Sequence, residues 1–328
     1  MELVPSQGRC ILAIGASCKL RCYEVIITMA KGMASLHDHH SSQWKRTVDH
    51  PIQGRLSKPR ERGITMVLDK GLGIAATADV LNSAAKHIDF WKLSFGTSVF
   101  YPQEVLHQKT DLIRDSGIDV YPGGTLLEVA VLQGRLERFL TDARNVGFTF
   151  IEVSDGTIEM SKAQRADTIA QALDAGFRVV TEVGKKDPGQ QLDPEEVVEQ
   201  IEEDLAHGVY KVIVEGRESG RGVGVYNPQG ELDEAELGAV MEGIRNPNRL
   251  IFEAPLKNQQ SAFITLFGPN VNLGNVSPSD AIALEALRVG LRGDTLKEYL
   301  IRRVQGSAIV DYDVDAHPLN GEPLKADD

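Results

Sequence analysis

Four glutamates, Glu152, Glu182, Glu215 and Glu253, recur at matching places, each at or near the end of a short apolar run. A carboxylate carried on such a run is costly to bury unless it holds a cation or meets a base. Several of them on neighbouring strands would suit Mg²⁺, a hard ion that takes oxygen ligands and keeps waters for a substrate. Glu152, Glu182 and Glu215 are the expected ligands; the other reading is that the carboxylates pair with nearby lysines and arginines. Such bases are plentiful. Lys70, Lys92, Lys185, Lys186, Arg217, Arg221 and Lys257 all fall at or just beyond the ends of these runs. Arg217 and Arg221 share a glycine-rich segment, 216–222, and the planar guanidinium fork matches phosphate and sulfonate oxygens. Asn272 stands shortly before Ser277-Pro278, which reads as an N-cap followed by proline at the first helical position. That helix start would offer free backbone N–H groups to a phosphate. Taken together, these residues point to metal-assisted chemistry on an anionic substrate.

The elements that must position them are regular from about residue 61 onward. Apolar, β-branched runs at 64–68, 88–95, 118–121, 148–153, 177–183, 210–215, 250–253 and 270–273 predict eight strands. Helix-length stretches separate them, at 76–86, 103–115, 136–145, 162–175, 194–206, 231–244, 258–267 and 278–290. Eight strand–helix units in series predict an α/β chain folded as a (β/α)8 TIM barrel, with reactive residues where strands run into the following loops. A doubly wound open sheet is the alternative, but no GxGxxG turn follows the first strand. Because side chains alternate along a strand, Glu152 shares a face with Phe150, and Glu215 with Ile213.

Outside residues 61–299 the pattern changes. Residues 1–60 read as an N-terminal extension of poor order, and 300–328 as a C-terminal tail. The cluster His37, Asp38, His39 and His40, with Cys18 and Cys22, lacks a standard zinc spacing and reads as a mobile tail. A chain of 328 residues with 42% hydrophobic content buries a core without staples, and a net charge of −12 argues against nucleic acid. Three early cysteines, no run long enough for a membrane span and no convincing signal peptide lead to an expected cytoplasmic location, with no membrane partner. A homo-oligomer is the expected assembly.

Longer blocks carry a resemblance. Val67-Leu68-Asp69-Lys70-Gly71-Leu72, Phe95-Gly96-Thr97-Ser98 and Val120-Tyr121-Pro122-Gly123-Gly124-Thr125-Leu126 come first. Glu152-Val153-Ser154-Asp155-Gly156, Thr181-Glu182-Val183-Gly184-Lys185-Lys186 and Glu215-Gly216-Arg217-Glu218-Ser219-Gly220 follow. Phe252-Glu253-Ala254-Pro255, Val271-Asn272-Leu273 and Gly290-Leu291-Arg292-Gly293-Asp294 complete the order. From about Arg62 to Thr295 the chain resembles the phosphosulfolactate synthase family. The resemblance implies a (β/α)8 lyase that adds sulfite to phosphoenolpyruvate with Mg²⁺, giving (2R)-2-phospho-3-sulfolactate for coenzyme M or sulfolactate biosynthesis. It further implies that Lys186 is the proton donor, with Lys185 as the alternative. Lys70, Lys92, Arg217, Arg221, Lys257 and Asn272 are the expected substrate-binding set. Two other readings stay open: a related enolate-forming lyase with a different nucleophile, and a non-catalytic, heat-stress-associated barrel protein.

Overall fold

The computed structural model describes Trp44, residues 47–184 and residues 193–310. Lys185, Lys186, the histidine cluster and all three cysteines lie outside the described residues. Eight strands form one parallel sheet: β1 Thr65–Asp69, β2 Phe90–Leu93, β3 Asp119–Pro122, β4 Phe150–Val153, β5 Arg178–Val183, β6 Lys211–Val214, β7 Leu250–Glu253 and β8 Leu273–Val276. Their order is β3-β2-β1-β8-β7-β6-β5-β4, so β1 joins β8 and the sheet curls round on itself. At the remaining seam the Thr149 N–H donates to the Val120 carbonyl at 2.9 Å. The Val120 N–H in turn donates to Thr149 Oγ1 at 3.0 Å. The fold is the expected (β/α)8 TIM barrel.

Ten α-helices wrap it among the described residues: α1 Ile74–Ala84, α2 Gln103–Asp115, α3 Gly124–Leu132, α4 Leu136–Val146, α5 Lys162–Asp174, α6 Pro194–Ala206, α7 Glu234–Gly243, α8 Lys257–Phe267, α9 Ala281–Arg288 and α10 Gly293–Val304. The outward strand residues, such as Val67, Trp91, Ile151, Val179, Val212 and Phe252, pack under these helices in one large core. The inward ones, Ile64, Met66, Phe90, Tyr121, Phe150, Val180, Ile213 and Ile251, fill the barrel as a separate apolar plug. Alternation does the rest. Two residues above Phe90, Phe150, Val180, Ile213 and Ile251 on the same faces stand Lys92, Glu152, Glu182, Glu215 and Glu253, a charged layer on an apolar one.

Four expectations need correction. The strand expected at 270–273 begins three residues later, so Asn272 precedes β8 and sits at the N-terminal end of the barrel. The helix expected from Pro278 starts as a short 3₁₀ turn, Pro278–Asp280, and Ser277 makes no capping bond there. The expected barrel limit at 299 falls inside α10, which continues to Val304 and whose last turn is braced by the Arg302–Glu298 pair at 2.7 Å. Finally, part of the segment expected to be poorly ordered packs beneath the barrel. Ile52 is buried, Arg55 binds Glu285 at 3.0 Å, and Arg60 binds Asp89 at 2.8 Å. Lys58 Nζ donates to the Ile88 and Gly117 carbonyls at 2.6 and 2.8 Å. These contacts are made by charged heads on long stems, so they leave no hydrophobic period in the sequence.

Candidate active site

At the C-terminal mouth of the barrel the charged layer opens into a cavity of about 550 Å³. Lys92, Glu152, Glu182, Glu215 and Glu253 line its floor; Ser94, Gly124, Thr157, Arg217 and Asn275 are on its walls. Lys92 stands at the centre of the floor. Its ammonium lies 2.9 Å from Glu152 Oε1, 3.2 Å from Glu182 Oε2 and 3.4 Å from Glu253 Oε1. Burial works against the charge, but the three carboxylates outweigh it and hold Lys92 well above the ordinary lysine range. Burial pushes Glu152 up to about 7 against the pull of Lys92, and raises Glu253 as well.

Three of the carboxylates, those of Glu152, Glu215 and Glu253, are also fixed by backbone N–H groups. Glu152 Oε1 accepts the Gly124 N–H at 2.7 Å, tying the first turn of α3 to β4. Glu215 Oε1 accepts the Arg217 N–H at 2.7 Å, while Glu253 Oε2 accepts the N–H groups of Gly216 and Arg217, each at 3.1 Å. Gly184 has φ of 129°, and a Cβ there would come within 2.6 Å of Glu215 Cβ, so only glycine lets the chain leave β5 beside this carboxylate. Glu182 is held from outside the barrel: Arg165 on α5 donates to its carbonyl at 3.1 Å and to Asp204 Oδ2 at 2.6 Å. Arg165→Met would leave Asp204 buried without its cation, and a loss of about 3–5 kcal/mol is expected in urea unfolding. A loss under about 1 kcal/mol would show that the pair does not anchor this side of the site.

Backbone strain gathers at the same place. Phe95, Arg217 and Asn275 are the three non-glycine residues with positive φ among the described residues, at 55°, 60° and 53°. All three line the cavity. Such conformations cost free energy and persist where the surroundings over-determine them. Two buried oxygens at the cavity, Glu152 Oε2 and Asn275 Oδ1, find no hydrogen-bond partner among the described residues.

The donor set suits a divalent cation. One oxygen from each of Glu182, Glu215 and Glu253 lies within 4.8 Å of the others. Glu152, Glu182 and Glu253 share Lys92, and buried carboxylate oxygens set this close together are the ligands a hard cation takes. Compared with the expected set, Glu253 takes the place of Glu152, which leans instead on Lys92 and the Gly124 N–H.

Of the six expected substrate-binding residues, the structure brings only Lys92 and Arg217 to the cavity. Lys70 is half-exposed and bonded to Glu218 at 2.5 Å; Lys257 reaches out from the start of α8 to Asp294 at 2.6 Å. Arg221 is exposed on the loop after β6, away from the cavity lining. Asn272 is at the opposite end, donating to the Asn248 and Leu250 carbonyls at 2.9 and 2.8 Å. Asn275 stands at the mouth in its stead, a consequence of the shifted strand. Glu128 is a further residue that the sequence reading passed over. Buried on α3, it accepts the Thr157 and Ile158 N–H groups at 3.1 Å and the Ser154 hydroxyl at 2.5 Å, shaping the loop after β4. Its signal was a lone acid inside the apolar stretch 126–132.

Residues 53–294 match the family model described as (2R)-phospho-3-sulfolactate synthase (ComA). The chain belongs to the phosphosulfolactate synthase family. It is 42% identical over 244 residues to phosphosulfolactate synthase of Methanothermobacter thermautotrophicus, covering 74% of this chain and 94% of that one. The Methanocaldococcus jannaschii enzyme of the same name is 44% identical over 237 residues, covering 72% and 94%. That of Bacillus subtilis is 40% identical over 243 residues, covering 74% and 95%. The matched region of this phosphosulfolactate synthase family member contains every residue of the floor described above.

Proposed function

We propose that the chain is a lyase that adds sulfite to phosphoenolpyruvate with Mg²⁺, forming (2R)-2-phospho-3-sulfolactate. The observation that carries this reading is the convergence of Glu182, Glu215 and Glu253 beside Lys92 on the cavity floor of a member of this family. The three glutamates would hold Mg²⁺, which when bound withdraws negative charge from a coordinated substrate carboxylate. In the reaction the sulfur lone pair forms a bond to the terminal carbon of phosphoenolpyruvate, and the carbon–carbon π pair moves into the carboxylate. The carbon bearing phosphate then takes a proton. Lys92 keeps its charge beneath the reacting carboxylate because its glutamates raise its proton affinity. Arg217 on the wall offers its fork to phosphate or sulfite oxygens. The strained backbone at Arg217 and Asn275 holds both in place before substrate arrives. Lys186, four residues beyond Glu182, is the proposed proton donor, with Lys185 as the alternative. The product would serve coenzyme M or sulfolactate formation.

Purified chain given phosphoenolpyruvate, sulfite and Mg²⁺ is expected to form a sulfonate product detected by mass spectrometry. EDTA should stop the reaction and Mg²⁺ restore it. No product from folded protein would overturn the proposal; activity indifferent to EDTA would remove the metal from it. A homo-oligomer is part of the same reading, supported by Val99, Phe100, Val129 and Leu132, which stand exposed on the loop after β2 and on α3. No helix among the described residues is long and apolar enough to cross a membrane.

A further inference from the structure

The opposite end of the barrel carries cations that the proposed reaction does not use. A cavity of about 680 Å³ there is lined by Arg60, Glu61, Tyr210, Lys211 and Arg249 among others. A second, of about 450 Å³, shares Pro59, Arg60, Glu61 and Tyr210 with it and adds Asp89, Asp119 and Arg178. In a chain of net charge −12 this concentration of bases is unexpected.

Most of the acids nearby are already engaged. Asp89 is gripped by Arg60 through both oxygens and also accepts the Thr65 N–H. Asp119 faces Arg178 at 3.4 Å, and the Arg178 guanidinium lies over the Tyr210 ring at 4.2 Å. Glu61 is exposed, and its charge, with that of Asp89, offsets only part of what burial and Arg249 do to the Lys211 ammonium. Lys211 and Arg249 are left over. Lys211 opens β6 and is buried, with a relative exposure of 2%. Among the described residues its ammonium donates to the Asn248 carbonyl at 2.7 Å, lies 5.1 Å from the centre of the Tyr210 ring, and has no carboxylate within 4 Å. Arg249 spends two of its N–H groups on the Tyr210 and Val209 carbonyls, at 2.8 and 2.5 Å, and has no carboxylate either. Burial and the adjacent Arg249 push the Lys211 ammonium down to about 8. A buried base beside a second base, facing a polar cavity, is a costly arrangement that an anion would relieve.

We propose that Lys211 and Arg249 form a binding site for a small phosphate-type dianion at the N-terminal end of the barrel. Two remaining ammonium protons and the free edge of a guanidinium suit a tetrahedral oxyanion. The site is separate from the catalytic cavity: Lys211 begins β6 and Glu215 follows its end, a distance of roughly 13 Å at ~3.3 Å per residue. It stands or falls independently of the proposed reaction.

The test follows the Lys211 side chain itself. In full-length protein labelled with ¹³C-lysine, the Lys211 Cε signal is identified by its loss in Lys211→Arg. It is then titrated in sodium chloride and in inorganic phosphate at matched ionic strength. The expected midpoint is near 8 in chloride and about one pH unit or more higher in phosphate, because a nearby anion favours the charged form. Arg249→Met should at least halve that phosphate-dependent shift. Equal midpoints in the two salts would overturn the proposal, as would an undiminished shift in Arg249→Met. Should Arg249→Met fail to fold, the comparison of salts in the unsubstituted protein decides alone.

Discussion

Lys92→Met is expected to lower sulfite addition by at least about 10²-fold, the scale seen when one preorganised electrostatic group is lost from a site. The same change should destabilise the fold by about 3–5 kcal/mol near pH 8, since it leaves Glu152, Glu182 and Glu253 buried without their shared cation. The loss should depend on pH in a definite direction. Burial already raises the proton affinity of Glu152 and Glu253, and removing Lys92 takes away the main force opposing that rise. A carboxyl group whose folded-state pKa exceeds its unfolded value takes up protons on folding, so stability falls as pH climbs from the ordinary carboxylate range towards and beyond 7. The variant should therefore recover much of its deficit at pH 5.5, where the floor is neutralised by protons instead of by lysine. Urea unfolding of both proteins at pH 5.5 and 8.5 checks this. Equal deficits at the two pH values would mean that Lys92 contributes packing, and that the carboxylates do not depend on its charge.

The barrel itself was legible because its strands are short β-branched runs with inward–outward alternation, and a parallel barrel leaves that pattern eight times over. The same alternation placed Glu152, Glu182, Glu215 and Glu253 inside. What it could not show was which partners those side chains would find. Lys92 reaches glutamates on β4, β5 and β7, and that meeting depends on strand stagger and side-chain length together. Two elements were illegible for identifiable reasons. Helix α3 is apolar nearly all round, so it lacks the 3.6-residue alternation that marks an amphipathic helix. Strand β8 has glycine and asparagine at its centre, residues that read as a loop, and the shift of three positions exchanged Asn275 for Asn272. The packed segment beneath the barrel was hidden because it docks through Arg55, Lys58 and Arg60.

Lys186→Ala is expected to reduce turnover by about 10²–10⁴-fold, the usual range for a lost general acid. Phosphoenolpyruvate binding should change little, because Lys92, Arg217 and the carboxylate floor remain. The split follows from the order of events. Sulfite attack loads charge onto the substrate carboxylate, and product forms only when the phosphate-bearing carbon is protonated. Without a donor the adduct reverts by expelling sulfite, so the barrier rises after binding. Gly184, whose positive φ turns the chain beside Glu215, is the last described residue before the lysine pair. On an extended segment neighbouring side chains point to opposite sides, so Lys185→Ala should keep most of the activity if Lys186 is the donor. The decisive measurement is steady-state turnover of the two variants beside phosphoenolpyruvate affinity by calorimetry. Loss of turnover confined to Lys185→Ala would move the acid by one residue. Loss of affinity equal to the loss of turnover in Lys186→Ala would make that lysine a substrate-binding group and leave proton delivery to another side chain, for which Glu152, held near 7 on the cavity floor, is the next to replace.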